Sequence, residues 1–244
     1  MSACSNTVKR TSMELGGNAP FIVFDDADLD KAVSGAMISK YRNAGQTCVC
    51  TNRILVQHEI YDDFLSKFKS ACEKLVIGDG QKEATTIGPL IDSNAAEDVK
   101  NLIEDAKIKG ARIEFGGDTC DLGDNFINPT ILSNINTSMR VFNEEIFGPV
   151  APIIKFETEN EAIELANQTD FGLAAYFYSR DVGRVYRVSE KLEFGIIGVN
   201  EGIISNEMAP FGGIKESGNG REGSKYGLDD YLEIKYVCVG GINE

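Results

Sequence analysis

Short apolar runs alternate with amphipathic helical stretches along almost the whole chain, and this alternation limits the fold more than any single residue does. Phe21-Ile22-Val23-Phe24 is a buried-strand candidate, and Asp25-Asp26-Ala27-Asp28 follows as the cap of a helix. That helix places Leu29, Ala32, Val33, Ala36, Met37 and Tyr41 at helical spacing, with acids at its start where the dipole favours them. A strand-like run from Asn52 to Gln57 comes next, with Arg53-Ile54-Leu55-Val56 as its core. Ile60, Phe64, Phe68, Ala71 and Leu75 mark a second amphipathic helix. A turn at Ile87-Gly88-Pro89-Leu90 precedes a helix over 93–109 with Val99, Leu102, Ile103 and Ala106 inward. Ala111 to Phe115 reads as a strand, 118–125 as a loop, and Ile127 to Leu132 as an extended run interrupted by Pro129. Strand Ile153 to Phe156, a helix over 159–167 opened by a capping box at Thr158-Glu159-Asn160-Glu161, strand Ala174 to Tyr178, helix 181–191 and strand Phe194 to Asn200 complete the series. The pattern predicts an α/β fold with a largely parallel sheet flanked by helices. Tyr231 to Val239 alternates enough to be an edge strand able to pair with a neighbour.

Composition removes several classes of function. A formal net charge of −14 leaves little to offset phosphate repulsion, so a nucleic-acid partner is not expected. No apolar run approaches the roughly 20 residues that span a bilayer, and the polar start Met1-Ser2-Ala3-Cys4-Ser5-Asn6 shows no secretory signal. At 244 residues, one or two domains are expected. Apart from Cys48 and Cys50 the six cysteines are scattered, which points to free thiols in a reducing compartment, the cytoplasm or the mitochondrial matrix. No metal site is expected: Cys-x-Cys lacks a second ligand pair, His58 is the sole histidine, and Asp25, Asp26 and Asp28 are better explained as helix caps. The single histidine, expected at the surface, also counts against Cys-His protease chemistry.

The stretch Tyr41-Arg42-Asn43-Ala44-Gly45-Gln46-Thr47-Cys48-Val49-Cys50 puts a thiol on a loop between a helix and a strand, where a nucleophile is often held. Cys48 is the candidate; a buried small hydrophobe is the competing reading from this stretch alone. Met13-Glu14-Leu15-Gly16-Gly17-Asn18 sets an acid beside glycines that let backbone approach a ligand, although a surface glutamate before a tight turn explains the same residues. Glu144-Glu145 in Val141–Pro149 is better explained, taken alone, as a solvated helix end. Gly218-Asn219-Gly220-Arg221-Glu222-Gly223 fits Gly-x-Gly-x-x-Gly but lacks a preceding strand, so it is given no phosphate-binding role.

Four separated stretches, in order and spacing, resemble the NAD(P)-dependent aldehyde dehydrogenases: Met13–Asn18, Asn43–Cys48, Glu144-Glu145-Ile146-Phe147-Gly148-Pro149, and Pro210-Phe211-Gly212-Gly213-Ile214-Lys215 with Ser217-Gly218. Arg42, the Cys48-Val49-Cys50 pair and the ending Tyr226–Tyr236 look most like the succinate-semialdehyde dehydrogenase branch. The resemblance implies Cys48 as the nucleophile that forms a thiohemiacetal and then a thioester, with Glu14 as the base that activates water. It also implies help to the oxyanion from the Cys48 backbone N–H. Glu145 would bind the nicotinamide ribose and Phe147 would pack near the nicotinamide ring. Arg42 and Ser205 would bind a substrate carboxylate, for which arginine offers a planar fork of donors. Cys50 would be the partner of Cys48 in a redox-sensitive disulfide; packing as a small hydrophobe is the alternative.

The resemblance covers residues 1–225 as a catalytic domain and 226–244 as a tail with an oligomerisation strand at 231–239, implying a homo-oligomer. In that family the glycine-rich cofactor loop, a phosphate-contacting lysine, an oxyanion asparagine and a second substrate arginine lie upstream of the first motif. Weak or no nicotinamide-linked turnover is therefore expected of these residues alone, and the choice between NAD and NADP is left open. Glutarate semialdehyde is a further substrate to consider. A non-catalytic fragment associating with full-length subunits and a thiol redox module using Cys48 and Cys50 are the competing functions; the second would more often show Cys-x-x-Cys at a helix start.

Overall fold

The apolar runs fold into strands buried on both faces, as expected where helices cover a parallel sheet. The structure is a computed structural model that describes residues 1–118 and 120–241. Its first elements are α1 (Ser2–Ser5), β1 (Met13–Glu14), β2 (Ala19–Val23), α2 (Leu29–Tyr41), β3 (Thr51–Gln57), α3 (Tyr61–Cys72) and α4 (Ser93–Ile108). β4 (Arg112–Phe115), β5 (Thr130–Ser133), α5 (Arg140–Asn143), β6 (Val150–Phe156) and α6 (Glu159–Asn167) follow. The last are β7 (Phe171–Gly172), β8 (Ala174–Tyr178), α7 (Val182–Lys191), β9 (Ile196–Val199), β10 (Ile214–Lys215) and β11 (Gly218–Asn219).

Seven strands form one sheet in the order β4-β5-β6-β3-β2-β8-β9. Every neighbouring pair is parallel except β4 and β5. Two small antiparallel pairs, β1 with β11 and β7 with β10, stand apart from it. All residues of β2, β3, β5 and β8 are buried. α2 and α3 pack through aromatic contacts, Tyr41 stacking on Phe68 at 6.0 Å between ring centres. The helix starts use the caps read from the sequence. Asp28 accepts the Lys31 N–H at 3.3 Å, and Thr158 accepts the Glu161 N–H at 3.2 Å. The Glu161 carboxylate returns to the Glu157 N–H at 2.8 Å, one residue before the cap, so the box is displaced by one position.

Three expectations change. Residues 231–239 form no strand: a 3-10 turn spans Tyr226–Tyr231, and no regular structure follows through 241. A strand needs a paired edge, and none within the described chain takes this segment. The extended run begins at Thr130 because Pro129 has no N–H to give a ladder, and the last predicted strand shortens to Ile196–Val199. Thr119, within the expected 118–125 loop, and 242–244, at the end of the expected tail, lie outside the described residues.

Candidate active site

Parallel strands β6, β3, β2 and β8 are neighbours, so the segments entering them lie side by side at one edge of the sheet. Those segments are 144–149, 43–50 and 14–18, followed by the turn before β8. Sheet order alone therefore sets the Cys48 loop between the segments of Glu145 and Glu14. This is the amino end of the strands, opposite to the carboxyl-end crevice where open α/β sheets most often bind ligands.

The backbones of these segments are in contact. A side chain at Gly17 would collide with the Cys48 carbonyl oxygen, and one at Gly45, which has φ +81°, would collide with the Gly148 carbonyl. The fourth motif joins through Ser217, whose buried hydroxyl donates to the Gly16 carbonyl at 2.7 Å and accepts the Gly172 N–H at 3.0 Å. Left-handed conformations cluster here: Asn43 (φ 52°), Ala44 (φ 55°) and Phe147 (φ 51°). Such residues cost on the order of 1–3 kcal/mol each and persist where surrounding contacts over-determine them.

The Cys48 loop is tied on several sides. Gln46 donates to the Asn43 and Pro89 carbonyls at 3.1 and 3.3 Å and accepts the Ile91 N–H at 3.0 Å. The Tyr176 hydroxyl donates to the Val49 carbonyl at 2.7 Å. Cys50 is buried, and its sulfur accepts the Thr47 hydroxyl at 2.9 Å. Cys48 is half-buried, and both thiols are free. Burial pushes the Cys48 thiol up, and the Glu145 carboxylate pushes it further; the backbone N–H of Cys48 itself offsets part of this, while Glu14 and Cys50 add to it.

The surroundings of both acids disfavour their charged forms. Glu14 has two buried carboxyl oxygens with no hydrogen-bond partner. Burial raises its pKa, Glu222 raises it further, and Arg221 opposes them. It lines a cleft of about 480 Å³ with Ser12, Arg221, Glu222 and Tyr231. Glu145 accepts the Gly17 N–H at 3.1 Å. Burial raises its pKa, while that N–H and Lys40 pull it down. Phe147 is 44% exposed beside it.

Arg42 is exposed, and no hydrogen bond or ion pair holds its guanidinium among the described residues. Its charge reaches the Tyr176 hydroxyl beneath the Cys48 loop. Ser205 is exposed on the 200–209 loop, and no hydrogen bond joins it to Arg42 among the described residues. The structure thus brings together Cys48, Cys50, Glu14 and Glu145, and leaves Ser205 uncoupled from them. Among the described residues no group of three His, Cys, Asp or Glu could hold a metal, and no helix is long and apolar enough to cross a membrane.

Sequence reasoning missed a buried polar layer behind the site. Lys40 is 1% exposed, its pKa is pushed down to about 8 by burial, and it faces Cys50 and Glu145. Its signal was position, since it falls four residues after inward-facing Ala36. Arg53 is wholly buried inside β3; it donates to the carbonyls of Leu165, Ala166 and Asn18 at 2.7, 2.8 and 2.9 Å and lies over the Phe142 ring. Burial pushes it down to about 9. A charge within a strand pattern was the available clue.

The family model described as "Aldehyde dehydrogenase family" matches residues 1–237. The chain is 60% identical over 240 residues to 3-sulfolactaldehyde dehydrogenase of Pseudomonas putida, covering 98% of this chain and 49% of that protein. It is also 60% identical over 240 residues to succinate-semialdehyde dehydrogenase [NADP(+)] of Escherichia coli (strain K12), covering 98% and 50%. The crystal structure of an E. coli NADP dependent enzyme superposes with a TM-score of 0.97 at 60% identity, covering 98% of this chain and 50% of that one. The chain spans about half the length of the curated relatives it matches. With the family model matched over nearly all its residues, the chain belongs to the aldehyde dehydrogenase family.

Proposed function

We propose that the chain carries the covalent chemistry of an NAD(P)-dependent oxidation of an aldehyde bearing a distant carboxylate, succinate semialdehyde being the leading substrate. The observation that carries this reading is the placement of Cys48 between Glu145 and Glu14, the latter with both carboxyl oxygens buried and unpartnered. A carboxylate whose pKa is raised is a better proton acceptor near neutral pH, which a resting thiol pushed upward requires.

Glu14 takes the thiol proton as the Cys48 sulfur adds to the carbonyl carbon, giving a thiohemiacetal whose oxyanion is met by the Cys48 N–H, and Glu14 then releases that proton to solvent. NAD(P), when bound, supplies the hydride acceptor that converts this to a thioester. Glu14 then takes a proton from water, the hydroxide adds to the thioester, and the carboxylic acid leaves as the Cys48 thiolate returns. Glu145 and Phe147 fit a nicotinamide ribose and ring: one Glu145 oxygen accepts only the Gly17 N–H, the other accepts no hydrogen bond among the described residues, and the aromatic face beside it is open. Arg42, exposed and uncommitted, and Ser205 hold the substrate carboxylate. The relatives' names support an acidic group on the aldehyde, a carboxylate in one and a sulfo group in the other.

Residues 1–225 then form the catalytic domain and 226–244 a tail. Ile234 is 98% exposed, and Tyr231, Leu232, Tyr236, Val237 and Val239 are exposed with it. That apolar segment favours pairing with a second copy, the homo-oligomer reading. Disulfide formation between Cys48 and Cys50 would stop the chemistry reversibly, and a reducing cytoplasm or mitochondrial matrix suits the free thiols.

The test is to incubate the chain with succinate semialdehyde and NAD or NADP and quantify succinate and reduced nicotinamide. Equal amounts of both, abolished by Cys48→Ala, support the reading. Product that survives Cys48→Ala contradicts it. Arg42→Leu is expected to raise KM for the semialdehyde about tenfold or more with a smaller effect on kcat.

A further inference from the structure

Glu145 stands at the start of an irregular segment between α5 and β6, yet its carboxylate is held against the Gly17 N–H. What holds the segment is a buried amide on the neighbouring strand. Asn52 of β3 donates from Nδ2 to the Glu144 carbonyl at 2.9 Å, and its Oδ1 accepts the Ile146 N–H at 2.9 Å. The two bonds fix the peptides on either side of Glu145. The second Nδ2 proton goes to Asn18 Oδ1 at 2.8 Å, and Asn18 in turn donates to the Phe142 carbonyl at 3.0 Å. Arg53 holds the Asn18 carbonyl from behind. The amide of Asn52 thus makes three hydrogen bonds in a site 3% exposed, where an orphaned partner would stay without water to replace the lost bond. A packing residue would need none of this.

We propose that Asn52 is a positioning residue for Glu145, clamping the peptides on both sides of it and thereby fixing how close that carboxylate stands to the Cys48 thiol. This rests on the reading of Cys48 and Glu145 given above. The other groups that face the pair are Glu14, Cys50 and the Tyr176 hydroxyl toward Cys48, and Lys40 toward Glu145. None of them lies on the 144–146 segment, so Glu145 is the one of these groups that the segment carries. With the clamp gone, the carboxylate is free to leave the Gly17 N–H, and its opposition to the Cys48 thiolate falls.

The experiment measures the rate of Cys48 alkylation by iodoacetamide against pH, read at that peptide by mass spectrometry, in a cycle of Asn52→Ala, Glu145→Gln and the double variant. It needs neither aldehyde nor nicotinamide, so its outcome is separate from whether the chain oxidises succinate semialdehyde. Asn52→Ala is expected to raise the rate about threefold at a pH where the thiol is mostly protonated, the scale of one carboxylate moved away through a well-screened medium. In the Glu145→Gln background the same substitution is expected to change nothing. Asn52→Ser, which leaves a smaller void and one hydrogen-bonding group, is expected to act in the same direction. A folded Asn52→Ala with an unchanged pH profile would overturn the proposal, as would an equal increase in the Glu145→Gln background. Failure of both variants to fold would also overturn it, because the role would then not be separable from folding.

Discussion

At the scale of single residues, the site is a thiol made harder to ionise by burial and by two neighbouring acids. Cys48, Glu14 and Glu145 are all pushed upward first by burial, and the acids add to the thiol's shift through their charge. Neutralising either acid therefore moves the thiol toward its ordinary range. Glu145→Gln is expected to shift the alkylation profile of Cys48 to lower pH more than Glu14→Gln does, since Glu145 is the larger of the two charge effects; the reverse order would contradict this placement. Stability gives an independent check on Glu14. Its folded pKa lies above the unfolded value, so the folded state is favoured at low pH and loses that advantage as pH rises through the raised value. Glu14→Gln should then melt above the parent at pH 8 and show no such gain near pH 4 in thermal scans.

The resemblance, and not the residues alone, singled out Cys48, Glu14 and Glu145, since each stretch by itself left a bland reading open; the glycines in those stretches have a physical purpose. Gly17 leaves room for the Cys48 carbonyl, and Gly45 for Gly148. Lys40, Asn52 and Arg53 were not legible as part of the site. A polar residue within an apolar pattern shows only that something pairs with it, and the partners lie on segments up to 113 positions away. Ser205 shows the converse: the resemblance assigns it a role, while no hydrogen bond in the chain fixes it at the site among the described residues.

At the scale of elements, the alternation of strands and helices was readable almost throughout, because burial on both faces demands continuous apolar runs such as Phe21-Ile22-Val23. The order of the strands was not readable, and that order makes the site. Adjacent β6, β3 and β2 set three entering segments in line, and left-handed residues let those segments turn sharply. Gly45 is the most exacting of these positions, combining φ +81° with the close approach of Gly148. Gly45→Ala is expected to cost about 3 kcal/mol in urea unfolding, from strain and displacement together. A loss below about 0.5 kcal/mol would show that the two segments are not held in contact.

At the scale of the whole molecule, the tail is the part that the single chain leaves without a strand partner among the described residues. Residues 231–239 alternate as a strand does, but a strand is a property of a pair, and the described chain offers this segment no partner. If its exposed apolar side chains pair with another copy, Ile234→Asp with Tyr236→Asp should lower the mass seen by light scattering at micromolar concentration and leave Cys48 alkylation unchanged. A monomeric parent chain would contradict the pairing. The charge of −14 opposes such association, so added salt should favour it.

The most direct measurement for the central claim, that Cys48 is the nucleophile for an aldehyde carrying a carboxylate, is alkylation mapped to each of the six cysteines with and without succinate semialdehyde. The expected result is reversible protection of Cys48 alone, weakened in Arg42→Leu and weaker still with an aldehyde that lacks the carboxylate. Alkylation of Cys48 at the same rate with and without the semialdehyde would contradict it.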